Sequence, residues 1–543
     1  MNTDRRSLIC AMLLAVLVLL LYVPGLGAPF LFDDTFHITG NPFVRFAPYK
    51  WAQYFFDRRA STTIESFQFQ IYRPLAVMLS SAVFHVFGMK AFWFHAVNLL
   101  LHIANAWLLF FLLAEIAGRF PALAAGLLFG LHPVNMESVV PAVGLSSTLS
   151  LFFVLLAAYA YITRRRAWIT AALSFCAMFS KETAVMLPAG LLLLDLTVLK
   201  RRPDKKVLTV VFLCAAIYLV LRGLVTGNAA HQRLWGFGYL SNLDMVFRTL
   251  FFSNIPSLVF PLNTHPLFCG LPLAKYPAVE LCGFLAAAGA VVFFWRKYWT
   301  AIPPLANFGL LWLLLSLLPT SNIIPLRTVG ADRFLYFASA GLAVAAAAFL
   351  RPVLWHFAAV LPVCLFFSWQ SLAWQLEYRS EVSFLSEIAR RHPDDYICNL
   401  YASTCMPSRA RSLLVRGLET APVNYRTLLY AQLGGIDFLS GKYESAVENY
   451  TKAAEADPAN WRSLKGIALS YCALGDNAAC GSFLYRAGYA AFTDKSSVVR
   501  MKSDTKTKEY GGVEIVDHQG SSELPLPREM LEKLLPVLLA RYE

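Results

Sequence analysis

Asp33 and Asp34 stand side by side in the stretch FLFDDTFHITGNPF, residues 30–43, five residues beyond an unbroken apolar run. Adjacent carboxylates repel, which raises the pKa of one or invites a cation. Such a pair suits a general base, a role worth typically ~10²–10⁴ in rate. Further along come Arg73 in YRPL, His102 in FHAVNLLLHIAN, His132 and Glu137 in LHPVNMESVV, and Lys181-Glu182 in FSKETAV. PTSNIIPLRTVGADRFLYFASAGLA adds Arg327, Asp332 and Arg333. A charge at bilayer depth costs at least ~2.5–3.5 kcal/mol, so each ionisable residue within or beside an apolar segment is a functional candidate. Together they offer carboxylates that take a proton from a hydroxyl and cations that hold a departing phosphate.

What must position these groups is a set of membrane helices. The chain of 543 residues is 57% hydrophobic and 15% charged, with a mean hydropathy of +0.53, which is more apolar surface than a soluble globule hides. The expected class is all-α, a polytopic membrane protein. Apolar runs long enough to span lie near 8–28, 91–117, 145–163, 183–199, 206–226, 278–295, 334–350 and 353–373. Shorter ones lie near 72–88, 120–131, 167–179, 246–262 and 303–318. About eleven to thirteen transmembrane helices follow, of either parity. The first run reads as an uncleaved anchor: its apolar stretch is long for a signal peptide, although Gly25-Leu26-Gly27-Ala28 offers small residues for cleavage.

The formal charge of +13 does not point to nucleic acid, because of where the basic residues sit. They collect in short loops between runs: Arg164-Arg165-Arg166, Lys200-Arg201-Arg202 with Lys205-Lys206, Arg296-Lys297 and Arg351. That is the positive-inside pattern, which places these loops and the N-terminus in the cytoplasm. The Asp33-Asp34 loop (29–71), Lys181-Glu182, the 327–333 segment and everything after residue 376 then lie on the opposite face.

Two domains are expected, a membrane domain over 1–376 and a soluble helical one over 377–543. Within the second, a 34-residue repeat is clear over about 428–494, with Gly441 answered by Gly475 and Ala453 by Ala487. Gly-x-Tyr-x-x-Ala, Tyr450, Ala453 and Pro458 fit a tetratricopeptide repeat; the second copy is degenerate, with Cys480 where a small Ala is usual. Such helix pairs bury their apolar faces only against neighbours, so 377–421 is expected to add a divergent pair and 527–542 a terminal helix. Residues 494–526 read as a loop. The tail is either a structural cap or a peptide-binding surface. Of the ten cysteines, only Cys398 with Cys405, or Cys472 with Cys480, suit pairing in an oxidising compartment. No cysteine spacing suggests zinc or iron–sulfur ligation, and no Gly-rich nucleotide loop argues for an ATP-driven pump.

His95, Asn98, His102 and Asn105 follow 3–4–3 spacing and share one helix face. Such a stripe serves as packing glue between helices or as a substrate contact. Pro133 breaks a short helix at a depth tolerable only where the backbone lines a cavity. Carboxylates, histidines and separated cations close to apolar helices on one face are what glycosyl transfer from a lipid phosphate requires.

At these residues the chain resembles the transmembrane and tetratricopeptide-repeat O-mannosyltransferases (TMTC), within the wider GT-C superfamily of lipid-phosphate-sugar-dependent glycosyltransferases. The resemblance rests on an ordered set: Phe-x-Phe-Asp-Asp followed by Asn41-Pro42, YRPL, FHAVNLLLH, HPVNMES, SKETAV, PTSN at 319–322, DRFLYFASAGLA, and the repeat tail. It implies a GT-C-type bundle and the acidic pair Asp33 and Asp34 as the catalytic motif; similarity together with the placement of charge gives Arg333, Arg73 and Lys181 as donor-phosphate cations, with Arg327 assisting on charge alone. His102, His132, Glu137, Glu182 and Asp332 would line the substrate pocket. The chain departs from the family where a Gly-Arg-Ala-Asp-like stretch is GLSSTLS, 144–150, without its charges. The repeat array is also shorter than in animal members.

The compact chain suggests a bacterial relative in the inner membrane, with site and tail periplasmic. The donor implied is a polyprenyl-phosphate sugar, the sugar itself being open. The acceptor implied is Ser or Thr of an exported protein such as a pilin subunit, docked on the repeat tail, or else a glycolipid or envelope glycan. A divalent cation between carboxylate and phosphate stays open, as does Asp33 versus Asp34 as base. Readings of another class are a lipid-linked sugar transporter or flippase, which should show two related halves, and a repeat-based scaffold, which gives no reason for this clustering of charges.

Overall fold

The computed structural model describes residues 5–63, 71–227, 239–262, 277–321, 323, 330–421, 423–457 and 460–493. Arg327 and the expected loop and terminal helix over 494–526 and 527–542 lie outside them. The chain divides into two compact units, Met1–Cys398 and Asn399–Glu543.

The first unit is helical, without a strand among the described residues. In chain order come α1 (Arg5–Tyr22), α2 (Pro74–Phe87), α3 (Ala91–Ala117), α4 (Arg119–Gly130), α5 (Met136–Val139), α6 (Leu145–Ile162), α7 (Ala167–Ser180), α8 (Leu187–Leu194) and α9 (Lys205–Thr226). Then follow α10 (Tyr239–Thr249), α11 (Ile255–Val259), α12 (Pro277–Tyr298), α13 (Pro304–Leu317), α14 (Tyr336–Ala347), α15 (Leu354–Glu377) and α16 (Glu381–Arg391). Among the described residues seven segments are long and apolar enough to cross a membrane: Arg5–Gly27, Ala91–Ala117, Ala142–Ile162, Glu182–Leu199, Lys205–Thr226, Ala278–Tyr298 and Leu354–Glu377. Five shorter apolar helices accompany them, Pro74–Phe87, Arg119–Gly130, Ala167–Ser180, Pro304–Thr320 and Tyr336–Ala347. The chain is a multi-pass, all-α membrane protein. The run expected over 334–350 is shorter than a full span, because a separate turn at Asp332–Phe334 precedes α14. That turn carries Arg333.

In lipid, helices associate through close packing of small residues, since lipid tails are as apolar as leucine. α1 packs on α4 where Gly126 and Gly130 leave room for Leu14 and Val18; a Cβ at either glycine would stand 2.7 or 2.6 Å from those side chains. α13 and α14 meet through Gly309 and Gly341, where a Cβ would stand 2.5 or 2.7 Å from the opposing glycine's carbonyl oxygen. Backbone cannot yield there as a side chain can. Gly341→Val is therefore expected to destabilise the detergent-solubilised protein by at least about 1–3 kcal/mol, read as a lowered thermal midpoint. Wild-type stability in that variant would mean that α13 and α14 pack less tightly.

The second unit contains α18 (Ala410–Thr420), α19 (Val423–Leu439), α20 (Tyr443–Ala456), α21 (Trp461–Ala473) and α22 (Asn477–Thr493), each packed on the next; α17 (Tyr396–Cys405) precedes them across the boundary. The 34-residue period has a visible cause in the turns. Gly441 and Gly475 end helices at φ 73° and 83°, which glycine adopts without the Cβ penalty. The Tyr450 ring fills the space left by Gly434 on α19 and Gly466 on α21. Cys472 and Cys480 form a disulfide, while Cys398 and Cys405 are not joined by one.

Candidate active site

The acidic pair follows α1 in a strained turn. Phe32 sits at φ 45°, a left-handed conformation that costs a bulky residue about 1–3 kcal/mol and persists only where its surroundings hold it. Asp34 supplies that hold. Its carboxylate is fully buried, with Oδ1 accepting from the Val143 N–H at 2.7 Å and Oδ2 from Leu31 and Ala142 at 3.1 and 3.3 Å. The turn is thereby tied to the residues that open the span Ala142–Ile162. Burial pushes the Asp34 pKa up to about 7, against the pull of these backbone donors.

Asp33 keeps some access, its side chain 16% exposed. Its Oδ2 accepts from Arg333 Nη1 at 2.7 Å, and the same Nη1 donates to Glu137 Oε1 at 3.0 Å. Glu137 Oε2 also accepts the backbone N–H of Arg333 at 2.7 Å. One guanidinium thus bridges two carboxylates from distant parts of the chain. Burial pushes Glu137 up to about 7, with Arg333 pulling the other way.

A second cluster lies alongside. Arg73 forms a two-pronged bond with Glu182 at 2.9 and 2.5 Å and reaches Ser146 Oγ at 3.3 Å. Lys181 Nζ donates to Ser147 Oγ at 2.7 Å and to the Arg333 carbonyl at 3.2 Å. It links the clusters, and burial, reinforced by nearby Arg73, presses its pKa down to about 7. All these residues stand at helix ends or the turns between helices.

The polar stripe of α3 holds this arrangement in place. His95 Nε2 meets the Ala28 carbonyl at 3.0 Å, and Asn98 Nδ2 donates to the Ser138 and Val139 carbonyls, both at 2.9 Å. His102 has Nδ1 on Tyr336 Oη at 2.8 Å and Nε2 on the Gly130 carbonyl at 3.1 Å. Asn105 donates to the Thr148 carbonyl and to Tyr336 Oη. Through these bonds α3 positions the turn after α1, the 138–141 segment beside Glu137, and Tyr336 three residues from Arg333. Both ring nitrogens of His102 are occupied by the protein, which makes it a brace between helices. His132 is placed likewise, with Nε2 on the Leu258 carbonyl at 2.9 Å and Nδ1 accepting from Val134 N–H at 3.2 Å. Asp332 is buried in the turn preceding α14.

The structure brings Asp33, Glu137, Arg333, Arg73, Glu182 and Lys181 together. It adds three residues that sequence reasoning passed over. His37 lies one helical turn beyond Asp33, and Ser146 and Ser147 bind Arg73 and Lys181. The spacing from Asp33 to His37 was a signal; the serines fall in GLSSTLS, the stretch marked by its missing charges. Among the described residues no group of His, Cys, Asp and Glu is arranged to hold a metal ion.

Fold and site together define a multi-pass helical membrane protein with a charged centre built from helix ends. The chain is similar to TMTC-type protein O-mannosyltransferases, the resemblance its motifs carry. It is 30% identical over 214 residues to protein O-mannosyl-transferase TMTC1 of Homo sapiens, covering 36% of this chain and 24% of that protein. Against Tmtc1 of Drosophila melanogaster it is 28% identical over 307 residues, covering 55% and 32%, and against tmtc2 of Xenopus laevis 33% over 220 residues, covering 38% and 26%. The chain thus spans about a quarter to a third of the length of these curated relatives. No family model matches it. Among solved structures it aligns with ArnT from Cupriavidus metallidurans bound to undecaprenyl phosphate, at a TM-score of 0.34 and 12% identity, over 92% of this chain and 90% of that one.

Proposed function

We propose that this protein is a GT-C-type glycosyltransferase that moves a sugar from a polyprenyl-phosphate donor to an acceptor hydroxyl on the non-cytoplasmic face of the membrane. The observation that carries the reading is the Arg333 guanidinium shared between Asp33 and Glu137, with Lys181 and Arg73 alongside. A transferase of this kind needs a carboxylate base and a cation for the leaving phosphate within one site. Here the cation and the carboxylates are paired with each other.

The donor phosphate competes with Asp33 for Arg333. Once it takes the guanidinium, Asp33 loses its cationic partner and becomes the stronger base. Asp33 then removes the acceptor proton as the hydroxyl oxygen bonds to the anomeric carbon. The bond from that carbon to the phosphate oxygen breaks, and the electron pair leaves with the phosphate, which Arg333, Lys181 and Arg73 receive. One displacement inverts the anomeric centre. Glu137 keeps Arg333 aimed, and Asp34 keeps the turn in shape. Arg327 is a further candidate for the phosphate from its charge and place in the sequence alone.

The similarity to O-mannosyltransferases supports Ser or Thr of an exported protein, such as a surface appendage or pilin subunit, as acceptor. A bacterial inner membrane with a periplasmic site accords with the basic loops opposite the acidic pair, and the Cys472–Cys480 disulfide with an oxidising compartment for the tail. The 34-residue helix pairs are read as tetratricopeptide-type units that dock the acceptor. Removing residues 399–543 should spare cleavage of the donor and impair modification of a protein acceptor; full-rate modification would reduce the tail to a cap. The function is tested by incubating purified protein with labelled polyprenyl-phosphate hexoses and pentoses and with envelope extract of its host. Label in a protein band supports the reading, and label that never leaves the lipid overturns it.

A further inference from the structure

We infer that His37 is the proton relay of this site, a role that rests on the transferase reading: its Nε2 takes from Asp33 the proton that Asp33 removes from the acceptor. His37 lies in the π-helical turn Thr35–Thr39, four residues past Asp33, whose charge acts on the ring. Its Nδ1 is 2.8 Å from the Ser61 carbonyl. A carbonyl only accepts, so in the neutral ring Nδ1 carries the hydrogen and Nε2 presents a lone pair. Among the described residues Nε2 has no hydrogen-bond partner.

The charges that act on the ring are those of the site itself. Asp33 favours its protonation, while Arg73 and Arg333 oppose it, and burial is the largest influence, lowering the His37 pKa below the usual value. The resting ring is therefore neutral and able to accept.

The other groups near Asp33 are already occupied. Asp34 has both oxygens on backbone N–H groups, and Glu137 has both on Arg333. Lys181 spends its ammonium on Ser147 and the Arg333 carbonyl. A proton left on Asp33 would block the next turnover, because Arg333 pairs only with the carboxylate. When the phosphate departs and Arg333 returns, the pairing drives the proton from Asp33 Oδ to His37 Nε2, and imidazolium then gives it to water. Each cycle consumes one acceptor O–H proton and releases one proton, with no redox change.

The test compares wild type, His37→Ala, His37→Gln and Asp33→Asn as full-length protein, by steady-state transfer from about pH 5 to 8 with and without added imidazole. His37→Ala should lower kcat by about 10²-fold, and imidazole should restore part of the loss. His37→Gln keeps a donor for the Ser61 carbonyl and should fold as wild type yet remain slow. In wild type, kcat should fall as acid protonates His37, and both variants should lose that limb. Full activity in His37→Gln, an unchanged pH profile, or a slow His37→Ala that imidazole does not rescue would overturn the relay while leaving the transferase reading intact. Absence of transfer in wild type would overturn both.

Discussion

Asp33→Asn is expected to lower transfer by about 10²–10⁴-fold, the range for loss of a general base, while the protein inserts and folds normally. Asn retains the size and one acceptor oxygen, so Arg333 and Glu137 stay seated. Because Asp33 competes with the donor phosphate for Arg333, the same variant should bind the donor lipid more tightly than wild type. Loss of turnover with gain of donor affinity is not what a damaged fold would give. Asp34→Asn should behave otherwise, since its Nδ2 would face a backbone N–H where the carboxylate accepts one. Its effect should appear mainly as lowered stability. The sign with pH can be worked out: a folded-state pKa of about 7 exceeds the unfolded value of about 3.9. The folded chain then binds the extra proton, so this contribution is complete below about pH 4 and is lost as pH rises through 7. Thermal midpoints measured across that window should fall less steeply for Asp34→Asn. A variant of Asp34 with wild-type stability and no transfer would exchange the two roles.

Neutralising Arg333 should have the second large effect. Arg333→Gln leaves buried Glu137 without its cation, and breaking such a pair costs about 3–5 kcal/mol; both side chains are shielded, 22% and 6% exposed. The double variant Arg333→Gln with Glu137→Gln removes the orphaned charge and should recover most of that stability. Donor use should not recover with it. A charge-assisted hydrogen bond to phosphate is worth about 1.5–3 kcal/mol, so donor KM should remain raised by about 10- to 150-fold. If folding and donor KM recover together, Arg333 is a structural ion pair and the phosphate lies elsewhere.

The membrane helices and most members of the charged cluster were legible in the sequence for one physical reason: charges beside apolar runs are expensive and stand out. Asp33, Arg73, Glu137, Lys181, Glu182 and Arg333 were each picked out that way. The division of labour within the acidic pair was not legible. It depends on the N–H groups of Ala142 and Val143, more than a hundred residues from Asp34. Nor could spacing decide whether His102 and His132 face substrate, since that depends on which carbonyls meet their rings. Ser146 and Ser147 were passed over because they are uncharged, and GLSSTLS drew notice for the charges it lacks and not for its hydroxyls. The run at 334–350 looked like a full span because its apolar composition gives no sign of where the Asp332–Phe334 turn ends and α14 begins.

The most direct measurement reconstitutes the purified protein in vesicles with a polyprenyl-phosphate sugar labelled in the sugar, adds acceptor outside, and follows both label and lipid. The account predicts that each sugar reaching the acceptor leaves one molecule of free polyprenyl phosphate. Labelled lipid that crosses the bilayer intact, with no free polyprenyl phosphate formed, would contradict it and make the protein a carrier of lipid-linked sugar.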